Sequence, residues 1–384
     1  MPQIVKSWDE WSPLKRVIVG RPEGTNVPAP EPAWWYDLPE GGFPLGQWGP
    51  FPQEMVDAAN EQMEYFVAQI EKRGAIVDRI DIQPFMFNKP LPSPLGWVQQ
   101  NAHGVNNVRD VTVIHGNYIV DATTCRRSRV FERFNLRPLF EQYTKEDPEA
   151  IHFSAPFPML TDESYVRNYY YDMENTWSDE DKLKRLQKGQ FQLTEKEILW
   201  DAADAMRFGK DVFHQISCVT NLGGFDWLKR MFASLGIRYH AMYFDSPPSN
   251  SGKPDNFHPW HIDVNFVPLR PGLCIYNPDW KPTDERVFEL FKANDWELIP
   301  AEQLSLVSQL LAHEPAALFQ APHMSRLGRQ GHGATADEIA GDPLLGDQAR
   351  EIPNGLQRKL EHPGGPRCAE PLGQFLHLGF IARK

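Results

Sequence analysis

The feature that most constrains the fold is one local pattern that repeats along the chain. Three times, an amphipathic helical segment ends at Gly or Asn, and a short apolar strand follows at once. Gly74 precedes "AIVDRI", Gly236 precedes "IRYHAMYF", and Asn294 precedes "DWELIP". Gly and Asn readily adopt the left-handed backbone that stops a helix, so each repeat is predicted to be a helix followed by a strand.

Hairpin signals lie upstream of these helices. Residues 108–122, "VRDVTVIHGNYIVDA", predict strand, Gly-Asn turn and strand, and residues 261–277, "HIDVNFVPLRPGLCIYN", predict the same around a Pro-Gly turn. The repeating unit is therefore predicted to be a ββαβ module. One module cannot bury its apolar face alone, so several copies are expected to pack around a common centre in an α/β fold.

The composition excludes several classes of function. The chain has 384 residues with 39 basic and 51 acidic side chains, a net charge of −12. No Lys/Arg run marks a phosphate-binding surface, so neither nucleic acid nor membrane is an expected partner. Four cysteines without a CxxC pair favour a reducing compartment, and the sequence has no signal core or membrane-spanning run. We therefore expect a soluble cytoplasmic protein.

The stretch "NFHPWHIDVNFVPLRPG", residues 256–272, concentrates polar chemistry. Strand periodicity places His261, Asp263 and Asn265 on one face and apolar residues on the other. A histidine and a carboxylate on one face can serve one substrate, although a solvated strand face explains the same residues about equally well. His258 would add a third metal ligand, but an intervening proline and the change of face argue against a shared centre, so no metal is expected.

A second group of acids lies in "ILWDAADAMRFGKDVF", residues 198–213, where Asp201 and Asp204 interrupt an apolar strand pattern against its propensity. Asp201 is predicted to orient a histidine, which a general acid/base needs in order to keep one tautomer and one direction. The alternative makes both acids caps of a turn, and it suits Asp204 better than Asp201. In "VRD" of the first hairpin, Asp110 is either a functional acid or a turn residue.

Residues 303–384 differ from the rest of the chain. Only three of the 46 aromatic residues lie there, and none is Tyr or Trp. The helical and strand periods also fade after "DWELIP". The sequence therefore indicates two parts, the repeated modules in residues 1–302 and an atypical tail, which reflects either a change of reading frame near Glu302 or a diverged last module.

Together these stretches resemble the amidinotransferase family, the arginine:glycine and arginine:lysine enzymes of the guanidino-modifying, or pentein, superfamily. The resemblance runs in order from about Val5 to Glu302. It rests on "SWDEWSPLKRVIVGRPEG", "VRDVTVIHGNYIVDAT" with "RRSR", "DAADAMRFGKDVF" with "VTN" and "WLKR", and "HIDVNFVPLRPG" with "NPD". It implies an α/β-propeller of ββαβ modules with pseudo-fivefold symmetry, in which the last module of this chain is degenerate or missing.

The resemblance also implies a role for each acid. It makes His261 the general acid/base, Asp201 the carboxylate that orients it, and Asp110 with Asp263 the pair that binds a substrate guanidinium. Carboxylates suit that task because a guanidinium stays protonated and its planar fork donates to two oxygens at once. In the family, a cysteine thiolate attacks the guanidinium carbon and forms an amidino-cysteine intermediate.

The sequence departs from the family at the nucleophile and at one binding position. The family's C-terminal "GG…HC…D" motif has only a partial counterpart, "HPGGPRCAEPLG", in which Arg367 replaces the family His and Cys368 is the candidate nucleophile. Trp280 stands where the family has an arginine after "NPD", so Arg270 or another arginine would have to bind a substrate carboxylate. The remaining cysteines are predicted to be packed thiols: Cys125, Cys218 and Cys274.

The activity that the resemblance implies is transfer of the amidino group of arginine to an amine. Lysine is the predicted acceptor, giving homoarginine and ornithine, because the chain is similar to bacterial arginine:lysine enzymes such as the one that makes homoarginine for phaseolotoxin in toxin biosynthesis. No cofactor is expected. The alternatives are a deiminase-like guanidino hydrolase that releases citrulline, an arginine-binding homologue without turnover, and, as a more remote one, a metal-dependent hydrolase. A homodimer is a family-level expectation.

Overall fold

The computed structural model of the chain describes residues 3–33, 48–243, 261–278, 282 and 284–301. The helices, in chain order, are α1 (Gln53–Lys72), α2 (Val108–Val111), α3 (Arg133–Glu146), α4 (Tyr169–Asn175), α5 (Asp179–Gln187), α6 (Leu222–Ala233) and α7 (Arg286–Ala293). The strands are β1 (Arg16–Val19), β2 (Asn26–Val27), β3 (Gly49–Pro50), β4 (Ile76–Arg79), β5 (Leu91–Pro92), β6 (Val98–Gln99), β7 (Thr112–His115), β8 (Tyr118–Asp121), β9 (Ile151–Ser154), β10 (Ala205–Phe208), β11 (Asp211–Gln215), β12 (Arg238–Met242), β13 (Phe266–Arg270), β14 (Leu273–Tyr276) and β15 (Glu297–Pro300).

Three complete modules share one topology. The first is β7, β8, α3 and β9, the second is β10, β11, α6 and β12, and the third is β13, β14, α7 and β15. In each module the first two strands pair antiparallel, and the third strand pairs parallel with the second after the helical crossover. The predicted ββαβ unit is therefore confirmed in these three modules.

A fourth unit is the βαβ segment β1, α1 and β4, whose two strands pair parallel. The C-terminal stop of α1 is as predicted, because Gly74 has a left-handed φ of +84°. Each fully buried aliphatic side chain contributes about 1.5–3 kcal/mol to such a helix. The buried apolar face of α1 consists of Val56, Ala59, Met63, Val67 and Ile70.

A one-turn helix stands directly before the first strand of each complete module. Helix α2 precedes β7, a 3-10 helix at Ala202–Asp204 precedes β10, and another at Ile262–Val264 precedes β13. We call these three segments the leading turns. The middle leading turn contacts both of the others, so the modules meet at these positions.

The leading turns correct the sequence-based assignment, which placed strands at residues 108–111 and 261–265. The alternation of polar and apolar residues in "HIDVN" fits a strand, but a 3-10 turn instead puts residues i and i+3 on one face. Ile262 and Asn265 are accordingly both buried, and the amide of Asn265 donates to the carbonyl of Ile262 at 2.9 Å. His261, Asp263 and Asn265 therefore do not form one strand face.

The largest apolar cluster of the described residues joins the first two modules. It includes Val120 on β8, Val212 on β11 and Phe232 on α6, all almost completely buried. Trp200, also fully buried in this cluster, comes directly before the middle leading turn, so the core fixes where that turn begins. Among the described residues, no helix has the length and apolar character needed to cross a membrane.

Candidate active site

Three of the predicted site residues meet where the leading turns converge. One side-chain atom each of Asp110, Asp201 and His261 lies within 4.8 Å of the other two, and all three residues are buried. Asp110 lies on α2, whereas Asp201 and His261 are the N-cap residues of the middle and last leading turns. The site is therefore built by corresponding segments of the three modules.

His261 is held by a second acid of the middle module. Its Nδ1 lies 3.3 Å from Oδ1 of Asp204, which has no solvent exposure. The other carboxylate oxygen of Asp204 accepts hydrogen bonds from the hydroxyls of Ser217 and Thr220, each at 2.6 Å. Both oxygens of Asp204 are thus engaged, and one of them faces the histidine ring.

Asp201 has a different local role. Its Oδ1 accepts the amide of Ala203 at 3.1 Å and so caps the middle leading turn. Its own amide donates to the hydroxyl of Thr220 at 3.1 Å. The capping interpretation therefore fits Asp201, whereas the sequence pattern had favoured it for Asp204. Asp201 still lies close to His261, as part of the buried group of three.

The buried charges act on the proton affinity of this group. Burial alone lowers the pKa of His261, but the charge of Asp201, the hydrogen bond with Asp204 and the charge of Asp110 outweigh it, and the pKa is raised above its ordinary value. The pKa of Asp201 is also raised, mainly by burial, although the charges of His261 and Arg129 act in the opposite direction. A histidine that keeps its proton in a dry site is suited to protonating a departing amine.

An arginine of the first module fixes the direction of Asp110. Nη1 of Arg129 lies 2.7 Å from Oδ2 of Asp110, and its Nε and Nη2 are each 2.9 Å from the carboxylate of Glu132. All three side chains are buried, with exposed fractions of 2–4%. In such a network the loss of one partner leaves an uncompensated charge, so the arginine is required for the acid to stay in place.

A second arginine holds Asp263. Nε of Arg109 lies 3.0 Å from Oδ2 of Asp263, and Nη2 donates to the carbonyl of Ala205 at 2.8 Å. Glu10 lies 4.0 Å from the same guanidinium. Oδ1 of Asp263 is buried and has no hydrogen-bond partner in the described part of the chain. Asp263 therefore keeps one oxygen for another donor.

The same group of three residues is the place where a metal could be held. Asp110, Asp201 and His261 offer three ligand atoms at mutual distances within 4.8 Å. The ligand set suggested by the sequence was a different one, made of His258, His261 and Asp263. His258 lies outside the described residues. Two buried carboxylates that lie close together can equally bind an organic cation such as a guanidinium.

Sequence analysis assigned no role to Arg109 or Arg129 and did not assign Asp204 to His261. Arg109 and Arg129 do lie within the quoted stretches "VRD" and "RRSR", which was the available signal. Arg109 and its partner Asp263 are separated by 154 positions in the sequence. That pairing could not be inferred without the fold.

The described cysteines are confirmed as packed thiols. Cys125, Cys218 and Cys274 are free and buried. Burial raises the pKa of the Cys218 thiol to about 12 and raises that of the other two thiols as well. Since the thiolate is the nucleophilic form, none of the three is prepared for attack. The candidate nucleophile Cys368 and the substituted position Trp280 lie outside the described residues.

Curated relatives show what the chain is similar to. It is 33% identical to the mitochondrial glycine amidinotransferase of Xenopus tropicalis over 77% of the chain and 65% of that relative. It is 30% identical to the L-arginine:L-lysine amidinotransferase of Pseudomonas savastanoi pv. phaseolicola over 77% of the chain and 74% of the relative. The chain thus spans just under two thirds of the glycine-using relative. No family model matches it.

Solved structures give a consistent similarity. An amidinotransferase of the saxitoxin biosynthetic pathway from Microseira wollei superposes with a TM-score of 0.60 at 29% identity, over 77% of this chain and 75% of that one. An inosamine-phosphate amidinotransferase from Streptomyces griseus superposes with a TM-score of 0.59 at 25% identity, over 78% and 76% of the two chains. The ββαβ modules therefore occur in an arrangement shared with these α/β proteins.

Proposed function

The chain belongs to the amidinotransferase family, and we propose on that premise that it moves the amidino group of arginine to an amine acceptor. The observation that carries the proposal is the buried meeting point of Asp110, Asp201 and His261. It combines acids suited to a guanidinium with a histidine suited to proton transfer. The reaction needs both in one place, out of water.

Binding of the guanidinium is assigned to Asp110 and Asp263. Each carboxylate is held by an arginine of the chain, Asp110 by Arg129 and Asp263 by Arg109, with one oxygen of Asp263 left without a partner in the described residues. A substrate guanidinium remains charged and donates in a planar fork, so two fixed carboxylates would set both its position and its plane. The electrophilic carbon would then face one direction.

Transfer would take place in two halves. The thiolate of Cys368 attacks the guanidinium carbon, His261 gives its proton to the departing amine, and ornithine leaves as the amidino-cysteine forms. The acceptor amine then gives a proton to His261, attacks the amidino carbon and releases the thiolate. After the second half His261 is protonated again and the cysteine is again a thiolate, so the kinetics are expected to be ping-pong.

Lysine is the proposed acceptor, which gives homoarginine. It is supported by the relative named for arginine and lysine, which is 30% identical to the chain over 74% of that relative's length. Residues 244–260, directly before His261, lie outside the described residues, so the acceptor is assigned from similarity.

The fold is proposed to be a pseudo-fivefold α/β-propeller. Three ββαβ modules and the βαβ unit of β1, α1 and β4 account for four parts within residues 1–302, which we propose as the amidinotransferase domain. The fifth part falls to residues 303–384, the atypical tail, which lies outside the described residues. The homodimer and the cytoplasmic location stay predictions.

Product analysis tests the proposed function. The full chain is incubated with arginine and lysine, and amino acids are separated and quantified. Ornithine and homoarginine in equal amounts are the expected products. Citrulline would mean that water is the acceptor and that the protein is a hydrolase. Binding of arginine with no product would leave an arginine-binding homologue, and the transferase proposal would be wrong.

Lysine dependence has a matched control. Glycine or water replaces lysine as the acceptor in parallel reactions. Asp211→Asn serves as a control variant because Asp211 lies on β11, away from the leading turns. Homoarginine from the control at the wild-type rate, together with its loss in Asp110→Asn, would tie turnover to the buried site. Faster glycine transfer than lysine transfer would overturn the acceptor assignment.

A further inference from the structure

Asp204 has the surroundings of a residue built to hold another side chain. It has no solvent exposure, and its Oδ2 is fixed by the hydroxyls of Ser217 and Thr220. Its Oδ1 then faces Nδ1 of His261 at 3.3 Å. A carboxylate that already accepts two hydroxyl protons is an acceptor toward the ring as well, so the proton between them lies on Nδ1.

The two acids of the middle module cannot exchange roles in this arrangement. Thr220 donates its hydroxyl proton to Asp204 and accepts the amide of Asp201, so one side chain fixes the relative position of both. Asp201 is held as the cap of its turn by the amide of Ala203. Asp201, and not Asp204, belongs to the close group with Asp110 and His261.

We propose that Asp204 is the positioning residue of His261, holding Nδ1–H so that Nε2 exchanges protons with the reacting amines, while Asp201 faces the substrate guanidinium. This inference rests on the proposed function and changes the role that family resemblance gives to Asp201. A neutral imidazole carries its proton on one nitrogen only, and an acceptor beside Nδ1 keeps the proton there, so Nε2 is the nitrogen that can accept a proton. Asp204 provides that acceptor and does not belong to the close group of Asp110, Asp201 and His261.

The charges around His261 determine what the removal of Asp204 does. Asp201 and Asp110 face the ring together with Asp204, Asp263 lies two positions along the same turn, and Arg129 lies behind Asp110. Replacing Asp204 by Asn removes one negative charge and offers the ring an amide that can donate as well as accept. The imidazole then loses its fixed tautomer, and its titration moves to lower pH.

The test compares Asp204→Asn with Asp201→Asn in the full chain. Asp204→Asn is expected to lower kcat by about 10²–10⁴-fold with KM for arginine nearly unchanged, since proton transfer by a positioned group contributes that much. Its kcat–pH profile should shift to lower pH. Asp201→Asn is expected to act mainly on KM for arginine. The reverse split between the two variants would overturn the proposal.

A spectroscopic arm is independent of turnover. In ¹⁵N-histidine-labelled protein, the Nδ1 signal of His261 should show a bonded proton in the wild type and in Asp201→Asn, but not in Asp204→Asn. Asp211→Asn is the matched control. It removes the acid partner of His240, whose Nε2 lies 2.8 Å from Oδ1 of Asp211, and does not change the acids around His261. An unchanged His261 signal in Asp204→Asn would refute the positioning role even if the wild type had no transferase activity.

A milder variant covers the case in which Asp204→Asn fails to fold. Ser217→Ala removes one of the two hydroxyls that hold Asp204 and keeps the carboxylate. It is expected to lower kcat several-fold, to leave KM for arginine in place and to change the Nδ1 signal of His261. A folded Ser217→Ala protein with wild-type kcat and an unchanged signal would contradict the proposal.

Discussion

Two regions of the molecule hold the same kind of acid–histidine contact in different surroundings. In the leading turns, His261 lies 3.3 Å from Asp204, with exposed fractions of 7% and 0%. On the sheet of the second module, His240 on β12 lies 2.8 Å from Asp211 on β11, with exposed fractions of 34% and 31%. The shorter contact is the more exposed one. Distance therefore does not single out the histidine that we propose as the general acid/base, because water screens the outer pair and not the inner one.

The arginine–aspartate pairs show the same contrast. Arg129 lies 2.7 Å from Asp110 with both side chains 4% exposed, whereas Arg238 lies 2.5 Å from Asp211 with exposed fractions of 64% and 31%. Buried partners depend on each other, and exposed partners are largely replaced by water. The leading turns are therefore expected to be sensitive to every charge change, and the outer pair tolerant.

The largest expected effect comes from the two histidines. His261→Asn should lower transferase kcat by about 10²–10⁴-fold, because it removes the proposed general acid/base. His240→Asn is the matched control and should keep the wild-type rate. Steady-state assays of ornithine release measure both. Equal loss in the two variants would mean that burial does not separate their roles.

The next effect is on stability. Arg129→Met leaves Asp110 and Glu132 without their shared cation and should lower the free energy of unfolding by about 3–5 kcal/mol. Arg238→Met, in the exposed pair, should leave the urea midpoint unchanged. Parallel urea titrations followed by tryptophan fluorescence make the comparison. An Arg129→Met protein as stable as the wild type would show that the inner network is not needed for the fold.

Arginine affinity gives the next comparison. Asp110→Asn should weaken binding by about 1.5–3 kcal/mol, the contribution of a charged hydrogen bond, which is roughly 10- to 150-fold in Kd. Asp211→Asn should bind arginine as the wild type does. Calorimetric titration of arginine into each variant measures Kd without turnover. Wild-type affinity in Asp110→Asn would remove Asp110 from the guanidinium site.

The loss of stability at low pH extends the comparison to His214, a buried histidine for which the described residues provide no acid partner. Both ring nitrogens of His214 lack a hydrogen-bond partner among the described residues, and burial lowers its pKa to about 3. The unfolded chain therefore binds a proton at His214 below about pH 6.5, whereas the folded chain does not. The contribution of His214 to the free energy of unfolding is complete above that pH and falls as the pH decreases.

This residue should account for about 2 kcal/mol of the stability lost between pH 7 and pH 5. Replacement by Leu removes the titrating group, so the His214→Leu variant should lose about that much less over the same interval. Urea unfolding at the two pH values provides the measurement. An identical loss in the variant and the wild type would show that His214 is not the source of acid sensitivity.

The sequence was sufficient for the parts of the fold that repeat. Helices with a clear apolar face, such as the one that stops at Gly74, were predicted because long periodic segments carry a strong signal. At the third repeat the left-handed residue is Asp295, with a φ of +59°, and not the expected Asn294. The leading turns were not predicted, since a single helical turn of three or four residues is too short to show its own period. In "HIDVN" the alternation of residue types imitated a strand.

The candidate site was predicted in its members but not in its contacts. Asp110, Asp201 and His261 were named from residue types and resemblance, and the structure brings them together. The contact of Asp204 with His261 spans 57 positions, and no local pattern distinguishes it from a contact of Asp201. Which of two neighbouring acids faces a histidine depends on the direction of a single turn, which only the fold provides.

The most direct test of the account is an acid-quenched intact mass, with peptide mapping, of the full chain incubated with arginine and no acceptor. A single amidino group is expected on Cys368, lost when lysine is added and absent in His261→Asn. An adduct on one of the buried cysteines, or no adduct despite arginine binding, would contradict the claim that the leading turns and the C-terminal cysteine form one transferase site.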